Sequence, residues 1–412
     1  MSVPLLRPFA GLRPAPQYAA EVAAPPYDVL SSDEARAMAA GKPWSFLHIS
    51  KPEIDLPAGT DLYAPEVYAK ARENLDRMVA AGVLRRDAKP CFYVYRLKIG
   101  DHVQTGIVGG GSVAAYDANR IRKHEFTRPD KEDDRVRQID ACDAQTGPVL
   151  LAHRNTPAVA AAIAATVAGV PAYAVTAADG ITHTLWVMDD DRLVESVVRA
   201  FDAMPALYIA DGHHRSAAAS RVANARRAKG ASGGLSESFL VVTFPIEEMK
   251  IFDYNRVVKD LNGMGREAFL AALAEDFAVV PANGRAKPAA AREFGMYLGG
   301  QWYRLTLKKP LPPESDPVGR LDVSLLSDRL LTPVLGIHDL RKDKRIDFVG
   351  GKRGLEELER RVDSGEMAVA FALFATRMED LVAVAEAGEV MPPKSTWFEP
   401  KLADGMVSYP LG

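Results

Sequence analysis

Hydrophobic positions along the chain keep two periods, and the switches between them mark its elements. Over 65–82 (PEVYAKARENLDRMVAAG) apolar residues recur at helical spacing, with Gly82 as the stop. From Phe92 the period drops to two, so FYVYRLKIG, the turn Gly100-Asp101 and HVQTGIVGGGSVAAY predict a hairpin. The glycines at 109–111 do not form GxGxxG and predict a bulge or a close approach of backbones. An amphipathic helix is expected over 131–145, a buried strand in GPVLLAH, and helices over 157–168 and 192–202 around strands near 171–188. Leu207 to Ala210 then predict a strand, Asp211-Gly212 a turn, and an Ala-rich helix runs from Arg215 into a basic last turn. SESFLVVTFPIEEMKIFDYNRVV predicts two strands around a turn. Helix 266–275, the strands REFGMYLGG and QWYRLTLKK, a Pro-rich loop at 310–317 and helix 321–332 follow. A strand through RIDFV, helix 354–364, strand AVAFALF and helix 377–387 complete a β-α-β-α alternation. Upstream, residues 1–30 are Pro- and Ala-rich and extended, and the next helix is capped by Ser31 or Ser32 with Glu34 in its first turn.

Composition narrows the classes. With 412 residues, 48% hydrophobic and 25% charged, the chain is globular material for two or three domains. A net charge of −3 argues against a nucleic-acid-binding surface. Two separated cysteines, Cys91 and Cys142, exclude a disulfide framework or a cysteine zinc site and fit a reducing cytoplasm. MSVPLLRPFAGLRP is too short and Pro-broken for a signal peptide, and no apolar stretch approaches a membrane span, so a cytoplasmic protein without a membrane partner is expected. Gly350-Gly351-Lys352-Arg353 lacks the spacing and the Ser/Thr of a P-loop.

The chemistry concentrates in LYIADGHHRSAAASRVANARR, residues 207–227. A strand turning sharply into a helix leaves free N–H groups and the positive end of the helix dipole at one point. His213, His214 and Arg215 stand there with Asp211 just before them, a charge pattern that opposes the dipole unless a phosphate binds, with Asp211 available to hold its Mg²⁺. An Asp N-cap followed by surface histidines is the plainer alternative. Adjacent histidines cannot both face one ion from a regular helix, so zinc is not expected. Glu125, among Arg122, Lys123, His124 and Arg128, is either a general base or part of a solvated charged loop. Pro25-Pro26-Tyr27-Asp28 either presents Tyr27 and Asp28 to a ligand or forms an elbow. The Pro-Pro-Lys-Ser-Thr cluster ending at Thr396 is a second phosphate-like constellation or a Pro-rich turn.

Three of these segments, Lys123-His124-Glu125, Asp211-Gly212-His213-His214-Arg215 and Pro393-Lys394-Ser395-Thr396, resemble in kind and order the free serine kinases (SerK) of the ParB–sulfiredoxin-like superfamily. The likeness covers roughly 119–412, and the full length resembles the larger bacterial family that carries ADGHHR and MPPKST. The resemblance implies an α/β (α+β) fold with a ParB/sulfiredoxin-like mixed-sheet core and an N-terminal β-rich portion. It divides the chain into an N-terminal domain, 1–118, and a catalytic region, 119–412, with an inserted segment at about 146–200. It further implies a kinase that transfers a phosphoryl group from ATP or ADP, with Mg²⁺, to free L-serine. Glu125 would be the general base, Asp211 would hold Mg²⁺ or assist the proton, and Gly212, His213, His214 and Arg215 would cradle the nucleotide phosphates. Lys394, Ser395 and Thr396 would bind phosphate or the amino acid. The chain departs from the family pattern at Trp397, where members have Arg, and its nearest counterpart of their substrate-touching aromatic is Tyr254. Arg256 either holds the substrate carboxylate or is a surface arginine. The alternative from another class is a ParB-like nucleotide-binding, hydrolysing regulator without amino-acid kinase activity, and a phosphatase or sensor using the same pocket is a third. The N-terminal part either closes the cleft or dimerises, which leaves a homodimer open.

Overall fold

The alternation from Phe92 onward folds as expected, and the rest of the N-terminal half is built on it. In the computed structural model, which describes residues 4–231 and 233–412, strands Phe92–Ile99 and His102–Ser112 pair antiparallel from Ile99↔His102 outward. Gly100 sits at φ +54°, the left-handed conformation that suits glycine in a two-residue turn. The first three residues of the segment weighed as a signal peptide lie outside the described residues. Among those described, no helix is long and apolar enough to cross a membrane.

The chain is α+β and divides into two compact units, residues 1–249 with 400–412, and 250–399. In the first, a mixed nine-stranded sheet runs Ile121–Arg122, Leu207–Asp211, Val149–His153, Ser238–Pro245, His102–Ser112, Phe92–Ile99, Thr182–Met188 and Tyr173–Thr176, with Leu6–Arg7 also on His102–Ser112. Leu207–Asp211 is parallel to Ile121–Arg122 and antiparallel to Val149–His153. Val94, Ile107, Leu151, Ile209, Phe239 and Val241 form its core with helices Pro157–Val167, Asp191–Asp202 and His213–Ala228. A second core lies under Ser32–Ala39, Leu47–Ser50 and Pro65–Ala80. Ser31 caps the first of these: its Oγ accepts from Glu34 N and Glu34 Oε2 accepts from Ser31 N, the reciprocal pair read in the sequence. Both cysteines are buried and free.

His102–Ser112 pairs through six residues with Ser238–Pro245 and so sits in mid-sheet, with its partner beyond the boundary expected at 118/119. The same strand decides between bulge and close approach at 109–111. Its register against Ser238–Pro245 is unbroken, and a Cβ on Gly109, Gly110 or Gly111 would lie 2.9 Å from Phe92, Tyr409 or Val241 respectively.

In the second unit six strands pair antiparallel in the order Phe277–Pro281, Gln301–Leu307, Glu293–Leu298, Val369–Leu373, Tyr254–Val258, Ile346–Gly350. Helix Gly354–Asp363 packs on this sheet through Leu355, Leu358 and Val362. The edge strand Phe277–Pro281 is absent from the sequence expectations. The expected helix 321–332 divides into Asp322–Leu326 and a π-helical turn, Ser327–Leu331.

Gly106 marks the tightest approach in the first sheet, where a Cβ would lie 2.4 Å from the Thr243 carbonyl oxygen. Gly106→Ala should therefore destabilise the chain by about 1–3 kcal/mol, read as a lower urea midpoint at unchanged slope. A wild-type midpoint would mean that the strands do not meet this closely.

Candidate functional site

Strand Leu207–Asp211 ends at Asp211, and the helix begins at His213, two residues earlier than the sequence suggests. Gly212 between them is the N-cap, at φ +98° and without a side-chain cap. Glycine is required twice over here. The conformation is left-handed, and a Cβ would sit 3.0 to 3.2 Å from the Arg215 guanidinium folded over it. The Asp N-cap alternative is thereby set aside: Asp211 is in the strand, and its Oδ1 accepts from Gly212 N at 2.9 Å.

The histidines have a different job from the cationic one expected. The His213 ring is 4% exposed, and its Nε2 accepts the His124 backbone N–H at 3.4 Å. His214 Nε2 accepts the Arg128 N–H at 3.0 Å. Burial pushes both imidazoles below their ordinary value, His213 far below, and His124 and Arg215 beside His213 push the same way. At neutral pH both rings are therefore uncharged acceptors that pin the two ends of segment 124–128. Since Nε2 of His213 accepts, the ring proton is assigned to Nδ1, and Nδ1 faces Glu125 Oε2 at 3.8 Å. The Glu125 side chain itself is 46% exposed.

Arg215 is matched as well. Its Nη1 donates to the Pro148 carbonyl at 2.5 Å and Nη2 lies 3.7 Å from Asp211 Oδ2. The expectation of a positively charged helix start is therefore corrected, because its two imidazoles are neutral by burial and its guanidinium faces a carboxylate. Asp211 Oδ2 also lies 3.5 Å from Lys401 Nζ. Burial would raise the Asp211 carboxyl, but Lys401 and Arg215 outweigh it and hold the group well below the usual carboxylate range.

Two residues here escaped the sequence reading, Lys401 and Asp404, both in the KLADGM segment. Their only local signal was a pair of charges in an otherwise small and apolar stretch. Asp404 is 2% exposed, its Oδ1 has no hydrogen-bond partner among the described residues, and burial pushes it up to about 7 against the pull of Arg215. His124 is 2% exposed and stands edge-on to His213, with ring centroids 4.5 Å apart. Among the described residues neither of its ring nitrogens has a partner at hydrogen-bond distance. Burial lowers it to about 4, although the Ile209 backbone and Asp211 pull the other way. The Pro25-Pro26-Tyr27-Asp28 segment is anchored by Arg135, whose guanidinium lies 3.9 Å from the Tyr27 ring centroid and pairs with Asp134.

The remaining expected residues lie in unit 250–399. Arg256 is fully buried, so the surface-arginine alternative fails. Its Nη1 donates to the Tyr254 carbonyl and Nη2 to the Lys394 carbonyl at 2.9 Å, with the guanidinium 4.9 Å from the Phe348 ring centroid. Burial lowers it to about 10, and among the described residues no carboxylate pairs with it. Lys394 is exposed at φ +61° with its ammonium 5.8 Å from the Tyr254 ring centroid. Ser395 Oγ donates to the Pro392 carbonyl at 2.6 Å, and Thr376 Oγ1 donates to the Ser395 carbonyl at 2.8 Å. Thr396 makes no side-chain hydrogen bond among the described residues. Trp397 stands edge-on to Tyr254, centroids 5.1 Å apart, and covers Gly350.

Among the described residues no three His, Cys, Asp or Glu side chains group to hold a metal. The donor set around Asp211, one carboxylate with two cations beside it, fits no all-protein cage.

The model of a family described as "Protein of unknown function (DUF1015)" matches residues 6–324, and the chain belongs to that family. No curated protein matches it. Among solved structures it is similar to a free serine kinase in complex with AMP, at 14% identity and TM-score 0.33 over 71% of this chain and 86% of that one. It is similar to SbnI with C-terminal truncation from Staphylococcus aureus, at 12% identity and TM-score 0.38 over 74% and 87%. A conserved hypothetical protein from Pyrococcus furiosus gives 14% identity and TM-score 0.32 over 73% and 93%.

The buried state of His124 can be tested by pH. Its folded value of about 4 lies below the ordinary 6.5, so between these values the unfolded chain binds the extra proton and stability falls as pH falls. His124→Gln should lose less Tm than the wild type between pH 6.5 and 4. Parallel curves would show that His124 is not buried as a neutral ring.

Proposed function

We propose that this family member is a nucleotide-dependent small-molecule kinase whose acceptor is free L-serine and whose product is O-phospho-L-serine. The observation that carries the proposal is the setting of Glu125. Its carboxylate faces the Nδ1–H of a neutral, buried His213 whose other nitrogen is committed to the backbone, so orientation and proton position are both fixed. In the proposed step a lone pair of the serine hydroxyl forms the new O–P bond to the terminal phosphoryl group as its proton passes to Glu125. The phosphorus–oxygen bond to the leaving nucleotide breaks, and that oxygen keeps the electron pair. ATP would leave ADP, and ADP would leave AMP.

Phosphoryl transfer asks chiefly for positioning and for neutralisation of the transferred charge. The first-turn N–H groups of the helix beginning at His213 would take a phosphate, with the guanidinium of Arg215 at the same turn adding its charge. Mg²⁺, bound with the nucleotide and held on the protein side by Asp211, would supply charge neutralisation at the phosphates. Asp211 stays ionised for that role because Lys401 and Arg215 hold it so. Lys394, Ser395 and Thr396 enter by motif as phosphate or amino-acid ligands, and Tyr254 as a substrate contact. Arg256 enters as the residue that positions the Lys394 backbone.

The test is phosphoryl transfer to a panel of free amino acids with ATP, ADP or CTP and Mg²⁺. Phosphoserine should form from one nucleotide, and Glu125→Gln should lower kcat by about 10²- to 10⁴-fold. Asp211→Asn should also abolish turnover. Tight nucleotide binding without any phosphorylated acceptor would instead establish the nucleotide-binding regulator.

A further inference from the structure

Within residues 1–249 an open cleft of 580 Å³ lies at one face of helix Pro65–Ala80, built from residues that the proposed chemistry does not use. The helix places Lys70, Glu73, Asn74 and Arg77 along it, the i, i+3, i+4, i+7 spacing of a single stripe. Val67, Ala71, Leu75 and Met78 bury the other face. Asn74 is the exception in the buried set, 4% exposed, and its amide donates at 2.8 Å both to the His48 carbonyl and to Asp55 Oδ2.

His48 completes this floor. Its Nδ1 faces both Asp55 oxygens at 2.9 Å and its Nε2 faces the Lys42 carbonyl at 3.1 Å. Both partners are acceptors, so the geometry suits the doubly protonated ring. Asp55 is thus matched by His48 and Asn74, and Glu73 is matched by Lys70 at 2.6 Å. Both carboxylates of the lining are committed, while the cations exceed them. Lys42 is exposed on the rim, and among the described residues Arg77 Nη2 is engaged by the Pro43 carbonyl at 3.1 Å and the Trp44 ring, whereas Arg36, which also lines the cleft, is paired with Asp33 at 3.2 Å.

We infer that this cleft is a second ligand site, for a small molecule bearing a phosphate group. The excess positive charge sits on Lys42 and Arg77, which approach the cleft from two chain segments and suit a dianion rather than a single carboxylate. The volume accepts a phosphorylated metabolite of nucleotide size and is larger than a bare ion needs. The rigid floor of His48, Asp55 and Asn74 offers polar edges to the uncharged part of such a ligand.

Isothermal titration of the full chain at low salt tests this with inorganic phosphate, AMP and succinate as probes. The proteins compared are the wild type, Lys42→Glu/Arg77→Glu and Asp211→Asn. The expected result is binding of AMP or phosphate that weakens at least ten-fold in the double variant and persists in Asp211→Asn. Both replaced side chains are exposed, and equal thermal melts would establish that the double variant is folded. Lys42→Gln/Arg77→Gln, which only neutralises, should fall between the two. Equal affinity in wild type and charge-reversed chain, loss of all phosphate and AMP binding in Asp211→Asn, or no binding by any protein would overturn the site. Succinate bound as tightly as phosphate would overturn the phosphate assignment.

Discussion

Two lone pairs on two imidazoles fix the position of Glu125. His213 Nε2 and His214 Nε2 take the backbone N–H groups of His124 and Arg128, so the four-residue span between those N–H groups is tied at both ends to the first turn of one helix. Each bond contributes about 0.5–1.5 kcal/mol net, and each requires an unprotonated nitrogen. Burial supplies that requirement. It lowers the proton affinity of both rings, and in doing so it removes the two charges that would have opposed the helix dipole. The same commitment of Nε2 leaves the His213 proton on Nδ1, toward the carboxylate. Loop position, ring tautomer and the compatibility of HHR with a helix start thus follow from one pair of contacts.

The charges around Arg215 follow a similar logic. Asp211 and Asp404 are both desolvated, and burial alone would raise both. Asp211 has Lys401 as well as Arg215 nearby and is held ionised. Asp404 shares Arg215 but is carried up to about 7 by burial, with Asp28 adding to the rise. Carboxylates whose surroundings push them apart in this way can hold different protonation states at one pH. The segment that carries Lys401 and Asp404 is held in place by backbone pairing of Asp404 with Ala24, which commits the chain's last residues to the first unit.

Local patterns were legible where local physics decides. The Ser31–Glu34 capping box, the Gly82 stop and the Gly100-Asp101 turn depend on residues within a few positions of one another, and each formed as read. The strand-turn-helix at 207–228 was legible in kind, but its start was misplaced by two residues because only the fold reveals that His213 is neutral enough to enter the first turn. Lys401 reaches Asp211 across 190 positions, and no periodicity encodes such a contact. Phe277–Pro281 alternates poorly because it is an edge strand that ends in proline, with only Phe277 fully buried. Nothing in the text of His102–Ser112 announces that its partner lies more than a hundred residues downstream, on the other side of the boundary expected at 118/119.

Arg256 shows why a motif alone assigns roles loosely. By sequence it is either a substrate hand or a surface cation, and its burial sets the second aside. A guanidinium taken fully out of water without a carboxylate is costly, and here it is met by two backbone carbonyls and aromatic faces, which offset part of that cost. One of those carbonyls belongs to Lys394, a non-glycine residue held at φ +61°, a conformation that costs an L-residue roughly 1–2 kcal/mol. The planar fork of arginine can hold the Tyr254 and Lys394 carbonyls at once, a geometry that the single ammonium of lysine does not reproduce. The side chain of Lys394 is exposed while its carbonyl is held by Arg256. The Pro-Lys-Ser-Thr turn therefore depends on a residue outside the motif, 138 positions earlier in the chain.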